Sequence, residues 1–315
     1  MPNFKRTRNL FDPSAKAPFK LSRTRLENFI NCPRCFYLDR RLGIEPPGMP
    51  AFTLNNAVDA LLKKEFNIYR QKKTPHPLMT QCGIPMIPFD HPQMDEWRET
   101  FQGIQFHHKK TNLIMTGAVD DLWVDKDKQL YVVDFKATST EAPITLDGPY
   151  RQAYKRQMEI YQWLLRGLDF KVSNTGYFVF CNAKKSKEAF NAQLDFDLNV
   201  IAYEGSDDWV EEVVIKAREC LHQEVIPPYT KGCPFCEYRK NAYQSEDVLR
   251  EISPKKEEGI QRELFPLVFL TLYLANAFAG CMNFTQRDYD LQKKAYEREQ
   301  QEKEAKKQGS IHAQW

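Results

Sequence analysis

Residues 117–139 read GAVDDLWVDKDKQLYVVDFKATS, and this stretch constrains the fold more than any other. The run Leu130-Tyr131-Val132-Val133 has the aromatic and β-branched content of a buried strand. It leads directly into Asp134-Phe135-Lys136, so an acid and a lysine sit two positions apart and point to the same face. Asp120 ends the preceding strand, and Asp125-Lys126-Asp127-Lys128 supplies a polar turn between the two strands. A hairpin closed at 125–128 brings Asp120 beside Asp134, with Lys136 next to both. A buried strand holds such groups rigidly enough to act together.

Two carboxylates at close range repel one another and invite a hard cation. Mg²⁺ or Mn²⁺ takes oxygen ligands, here Asp120, Asp134 and the Phe135 carbonyl. An ion at this place activates a water and offsets charge on a phosphate. Lys136 can orient that water or neutralise the transition state. The arrangement suits hydrolysis of a phosphodiester. A lone Asp-x-Lys would read as a salt-bridged surface hairpin. The near-continuous apolar strand, with Gly117-x-x-Asp120 upstream, shifts the reading to a catalytic centre.

The rest of the chain supports an α/β fold. Thr24–Leu42 reads as a helix with Leu26, Phe29, Ile30 and Tyr37 on its buried side, interrupted or restarted at Pro33. Asn55–Arg70 reads as a second helix, with Val58, Leu61, Leu62, Phe66 and Tyr69 at helical spacing. The proline-rich segment at 72–92 reads as loop, and 112–134 as two strands. A helix over Tyr150–Leu168, strands at Gly176–Phe180 and Gln193–Val200, and a helix over Asp207–Gln223 follow. Hydrophobic residues make up 42% of the 315, enough for a packed core and against general disorder. The 45 basic and 42 acidic residues leave a net charge of +3, too balanced to name a partner.

Within the Tyr150–Leu168 helix, Gln157 and Tyr161 are one turn apart and share a face. An amide and a phenol there can hydrogen-bond a nucleic-acid backbone or waters at the metal. Arg151, Lys155 and Arg156 add positive charge for binding nucleic acid. Tyr154, Met158 and Leu165 give the same helix a packing face.

Gly-x-x-Asp, a strand ending in Asp-x-Lys, and Gln-x-x-x-Tyr together resemble the PD-(D/E)XK nuclease superfamily. The opening SRTRLENFINCPRCFYLDRRLG is similar to the first helix of its RecB-like branch, which includes CRISPR-associated exonucleases and the AddB nuclease domain. The resemblance spans about residues 20–240. It implies a restriction-endonuclease-like core, a mixed central β-sheet flanked by helices. It also implies a Mg²⁺- or Mn²⁺-dependent deoxyribonuclease, exonuclease-like, in DNA repair, recombination or foreign-DNA processing. Single-stranded or frayed DNA ends and a helicase or recombination partner fit that branch. The family places a further acid or histidine on the helix before the hairpin. Here Asp59 occupies that place, and Glu65 is the second candidate.

Cys32-Pro-Arg-Cys35 and Cys233-Pro-Phe-Cys236 stand at opposite ends of this region. Two such pairs make a Cys₄ metal site that staples the ends together. Paired Cys-Pro-x-Cys turns suit tetrahedral zinc. The resemblance implies a [4Fe–4S] cluster at the same junction, although the two-and-two split of cysteines differs from the family's one-and-three. The other four of the eight cysteines, Cys82, Cys181, Cys220 and Cys281, lack partners at ligand spacing.

The expected organisation is a flexible basic arm at 1–20, a nuclease domain at 21–245, a linker at 246–263, an apolar helix at 264–284 and a charged helical tail at 285–315. The apolar helix is long enough to enter a membrane or to bind a partner. No signal peptide is read at the basic opening MPNFKRTRNL, so the expected compartment is the cytoplasm. A membrane anchor at 264–284 with a cytoplasmic nuclease domain is the alternative. A non-catalytic nucleic-acid-binding module on the same fold is the competing function. A converging acid pair, which repels phosphate, argues against it.

Overall fold

The computed structural model describes residues 5–48, 52–148 and 151–252, with side chains described to residue 246. The apolar segment 264–284, the charged tail 285–315 and most of the expected linker lie outside the described residues. The chain divides into two units, Met1–Ser245 and Glu246–Trp315, and the sheets and the hydrophobic cores belong to the first. Among the described residues no helix is long and apolar enough to cross a membrane.

A short strand, β1 (Phe19–Ser22), runs directly into α1 (Arg23–Asn31). Pro33 cannot donate a backbone hydrogen bond, so it opens a new helix, α2 (Pro33–Arg40), with Cys32 extended between the two. The expected long helix is therefore two. Parts of the arm expected to be loose are tied to the fold, at Arg6 and Phe11. Phe11 is buried, its N–H donates to the Arg40 carbonyl at 2.8 Å, and Arg6 pairs with buried Asp39 at 2.8 Å. An aromatic among the basic residues anchors it, stacking edge-on with Phe19.

α3 (Thr53–Lys72) is the second predicted helix. The proline-rich stretch after it is not all loop. His76 caps and Pro77 opens α4 (Pro77–Gln81), and β2 (Ile87–Pro88) and α5 (Met94–Arg98) follow. Next come β3 (Ile104–His108), β4 (Leu113–Gly117), β5 (Asp121–Val124) and β6 (Leu130–Thr138). The second half holds α6 (Arg151–Gly167), β7 (Thr175–Ala183), β8 (Phe196–Glu204), α7 (Val210–His222) and α8 (Pro234–Ile252).

The strands form a three-stranded sheet, β1-β4-β3, and a five-stranded sheet, β2-β5-β6-β7-β8. Both are mixed: β1 with β4 and β6 with β7 run parallel, and the other pairs run antiparallel. Helix α6 is the crossover between parallel β6 and β7, as a parallel pair requires. Residues 112–124, expected as one strand, pass from the first sheet to the second between Gly117 and Asp121. Gly117 is required at that passage, because a Cβ there would stand 2.6 Å from Cε1 of Tyr161.

β6 is covered on both faces, which explains its unbroken apolar run. Leu130 and Val132 join a core with Ile160, Leu164 and Leu165 of α6. Val133 and Phe135 join a second core with Leu62 and Phe66 of α3 and Met79 of α4. Asp134 and Lys136, in phase with Leu130 and Val132, are thereby aimed at α6.

Candidate active site

The β5–β6 register pairs Asp121 with Val133, and this sets residue 120 opposite residue 134. Asp134 is fully buried, and its carboxylate pairs with the Lys136 ammonium. Asp120 sits just before β5, and its Oδ2 accepts the Phe135 N–H at 2.8 Å. From α6, Gln157 Nε2 donates to Asp134 Oδ1 at 2.7 Å and to the Tyr161 hydroxyl at 3.1 Å. Lys136 Nζ lies 3.4 Å from Gln157 Oε1 and 4.5 Å from the centre of the Tyr154 ring. Asp134 Oδ2 is buried, and its close partner is that ammonium.

Helix α3 brings a third acid. Lys63 lies 2.8 Å from Asp59 and 3.2 Å from Asp120, so Asp59 belongs to the same group. Glu65 does not. Six residues further along a helix is about 120° around it, and Glu65 there lies 2.9 Å from His76 with half its side chain exposed. Asp59, Asp120, Phe135, Lys136, Gln157 and Tyr161 all line one open cleft of about 830 Å³.

The charges are in tension. Burial pushes the Asp134 carboxyl up to about 6, with Asp120 adding to the rise and Lys136 and Arg23 opposing it. Burial and then Asp120 also raise Asp59. Burial works to lower the Lys136 ammonium, but Asp134 and Asp120 outweigh it and hold that ammonium above the ordinary lysine value. Three acids, two of them raised in pKa by burial and by Asp120, crowded against two lysines are a donor set that a divalent cation fits.

The basic residues expected to bind nucleic acid are placed elsewhere. Arg156 is forked onto Glu27 at 2.6 and 3.0 Å. Lys155 lies 5.6 Å from the centre of the Tyr203 ring, and Arg151 lies over Tyr154 and Phe180. None of the three lines the cleft, because α6 turns its Gln157–Tyr161 face inward and these positions fall off it. The cleft's cations come instead from β1, α1, α3 and α5, among them Lys20, Arg23, Lys63 and Arg98. Of these, Lys63 had a signal in the sequence, four residues after Asp59 on one helix face. Asp121 is a structural acid. It is buried against Arg70 and, at 3.0 Å, Arg98, which also donates to the Asp120 carbonyl at 2.9 Å.

The four paired cysteines do meet. Cys32, Cys35, Cys233 and Cys236 are buried, with all four sulfurs within 4.8 Å of one another. Three separations are 3.5, 3.6 and 3.9 Å. Each pair opens a helix, α2 or α8, with proline at its first position. Burial works to raise the Cys32 thiol, but the N–H groups of Cys35 and Thr230 outweigh it and hold it down at about 7. Four thiolates around one ion at a metal–sulfur distance of about 2.3 Å stand about 3.8 Å apart. Thiolates on the corners of a four-iron cube stand roughly 6 Å apart, since the irons and sulfides lie between them. Cys181 and Cys220 are core residues and Cys82 is exposed. Cys281 lies outside the described residues.

No curated protein matches the sequence. The PD-(D/E)XK nuclease superfamily is matched over residues 69–240. That span is more than half of the chain and carries the Asp120–Lys136 hairpin, Gln157, Tyr161 and the second cysteine pair. The chain belongs to the PD-(D/E)XK nuclease superfamily.

Proposed function

We propose that this protein is a Mg²⁺- or Mn²⁺-dependent deoxyribonuclease of the RecB-like branch, exonuclease-like in action. Its setting would be DNA repair, recombination or foreign-DNA processing. The observation that carries the chemistry is that Asp120 and Lys136 line one cleft, with buried Asp134 paired to Lys136 directly behind them. Asp120 and Asp134 would hold the ion, with Asp59 and the Phe135 carbonyl as further oxygen donors. When bound, such an ion acidifies water and offsets charge on phosphate oxygens.

The chain's own groups do the rest. Lys136 Nζ, held as an ammonium by Asp134, donates hydrogen bonds that orient the attacking water and offset charge on the phosphate oxygens. Water oxygen bonds to phosphorus and gives its proton to solvent, the bond from phosphorus to the leaving sugar oxygen breaks, and that oxygen takes up a proton from a solvent water. Gln157 fixes the rotamer of Asp134 through its 2.7 Å bond, and Tyr161 fixes Gln157. Phe101, 89% exposed on the rim of the cleft, offers an unpaired base a face to stack on. A paired duplex has no free base to place there, so single strands or frayed ends are the favoured substrate.

The sulfur separations favour one tetrahedral ion, zinc, over a [4Fe–4S] cluster at the cysteine site. Metal analysis of protein purified without oxygen tests this. One zinc per chain in a colourless sample is the expected result, and iron with acid-labile sulfide in a brown one opposes it. Binding to a helicase or recombination partner, and contact with a membrane through 264–284, belong to the same proposal.

End-labelled single- and double-stranded DNA, incubated with Mg²⁺, Mn²⁺ or a chelator, tests the function. Metal-dependent shortening of the label, faster on single strands, is expected. Binding without cleavage under every metal condition would leave the non-catalytic module.

A further inference from the structure

Nucleases of this chemistry need a cation on the phosphate under attack, and the cleft's cations are nearly all occupied. Arg6, Arg25 and Arg40 converge on Asp39. Lys63 is shared by Asp59 and Asp120, Arg98 by Asp121 and the Asp120 carbonyl, and Lys136 is engaged by Asp134. Lys20 donates to the Phe101 carbonyl at 2.9 Å. Arg23 differs. Among the described residues it makes no hydrogen bond or ion pair, and its Nε is buried without a partner.

Its position is central. Arg23 opens α1, lines the same cleft as Asp120, Lys136 and Gln157, and lies 6.0 Å from the centre of the Tyr161 ring. A half-buried guanidinium with an unmet donor is costly until an acceptor arrives. A phosphate diester is such an acceptor, and the planar fork of arginine matches two of its oxygens.

We propose that Arg23 binds the non-bridging oxygens of the phosphate under attack, reaching it from α1 while Lys136 reaches it from β6. This rests on the nuclease reading. It assigns the phosphate contact to the N-terminal helix instead of the basic residues of α6.

Wild type, Arg23→Gln and Arg23→Lys are compared on one fluorescently labelled single strand. Binding is followed by anisotropy across a salt series without divalent metal, and cleavage with Mn²⁺. Arg23→Gln is expected to bind more weakly and to flatten the plot of log K against log salt by about 0.7. Its kcat should fall about a hundredfold. Arg23→Lys should restore the salt slope and only part of kcat, since an ammonium lacks the fork. Thermal midpoints should move little, because among the described residues Arg23 makes no hydrogen bond or ion pair and its ring contact with Tyr161 is a distant one, 6.0 Å. Arg23→Gln with wild-type salt slope, and with kcat within about twofold of wild type, would overturn the assignment. If the wild type binds the strand without cleaving it, the nuclease reading fails and the salt slope alone decides the fate of Arg23. If it does neither, both fall.

Discussion

Asp120 keeps 21% of its side chain exposed and faces the cleft, whereas Asp121 is fully buried between Arg70 and Arg98. Two adjacent, identical residues should therefore answer mutation in opposite ways. Asp120→Asn should lower kcat by about a hundredfold or more while changing stability by less than about 1 kcal/mol. Asp121→Ala strands two buried guanidinium groups and should cost about 3–5 kcal/mol in urea unfolding. A stable, fully active Asp121→Ala would refute the division. Gln157→Leu should show a mixed effect. It leaves Asp134 Oδ1 without its 2.7 Å donor, at about 1–3 kcal/mol, and slows cleavage by freeing the carboxylate to rotate. Asp134, Lys136, Gln157 and Tyr161 were legible in the sequence because each pair is fixed by strand or helix periodicity. The grouping of Asp121 with Arg70 and Arg98 was not, since it joins residues 51 and 23 positions away in sequence through the fold alone.

The β5–β6 hairpin owes its turn to Asp125. That carboxylate accepts the N–H groups of Asp127 and Gln129, each at 2.9 Å, and the Tyr131 hydroxyl at 3.1 Å. Slight burial works to raise its pKa, but these donors outweigh it and hold the carboxyl below the usual aspartate value. Its contribution is thus present at neutral pH and fades as pH falls through about 4 and below. Urea midpoints of wild type and Asp125→Ala should differ at neutral pH, and the gap should narrow as pH falls below about 4. A gap that widens in acid would contradict this. The hairpin and the long helices were readable because their apolar spacing persists over several turns or residues. β1 and β3 were missed, at four and five residues each. The change of sheet at 117–121 was missed because Ala118 and Val119 carry the apolar run of β4 on, and the acids after them read as a strand end. The proline that argued for loop after α3 in fact stands at the first position of α4, where its missing N–H costs nothing.

Across the whole of the described unit, the cysteine site joins residues near 32 to residues near 236 and closes the fold on itself. Removing its metal should lower the thermal midpoint by roughly 5–10 °C without altering the cleft's groups, none of which touches a sulfur. Cys233→Ser should behave alike, whereas an unchanged midpoint would mean that the site carries no ion. The candidate active site lies on a different part of the unit, on a hairpin gripped by α3 on one face and α6 on the other. The central claim is that Lys136 and the two acids of that hairpin hydrolyse phosphodiesters with a divalent metal. The most direct measurement is cleavage of an end-labelled single strand with Mn²⁺ by wild type and Lys136→Ala, alongside Mn²⁺ binding by each. Cleavage lost in the variant while Mn²⁺ still binds is the predicted result. Equal cleavage by the two proteins would contradict the account.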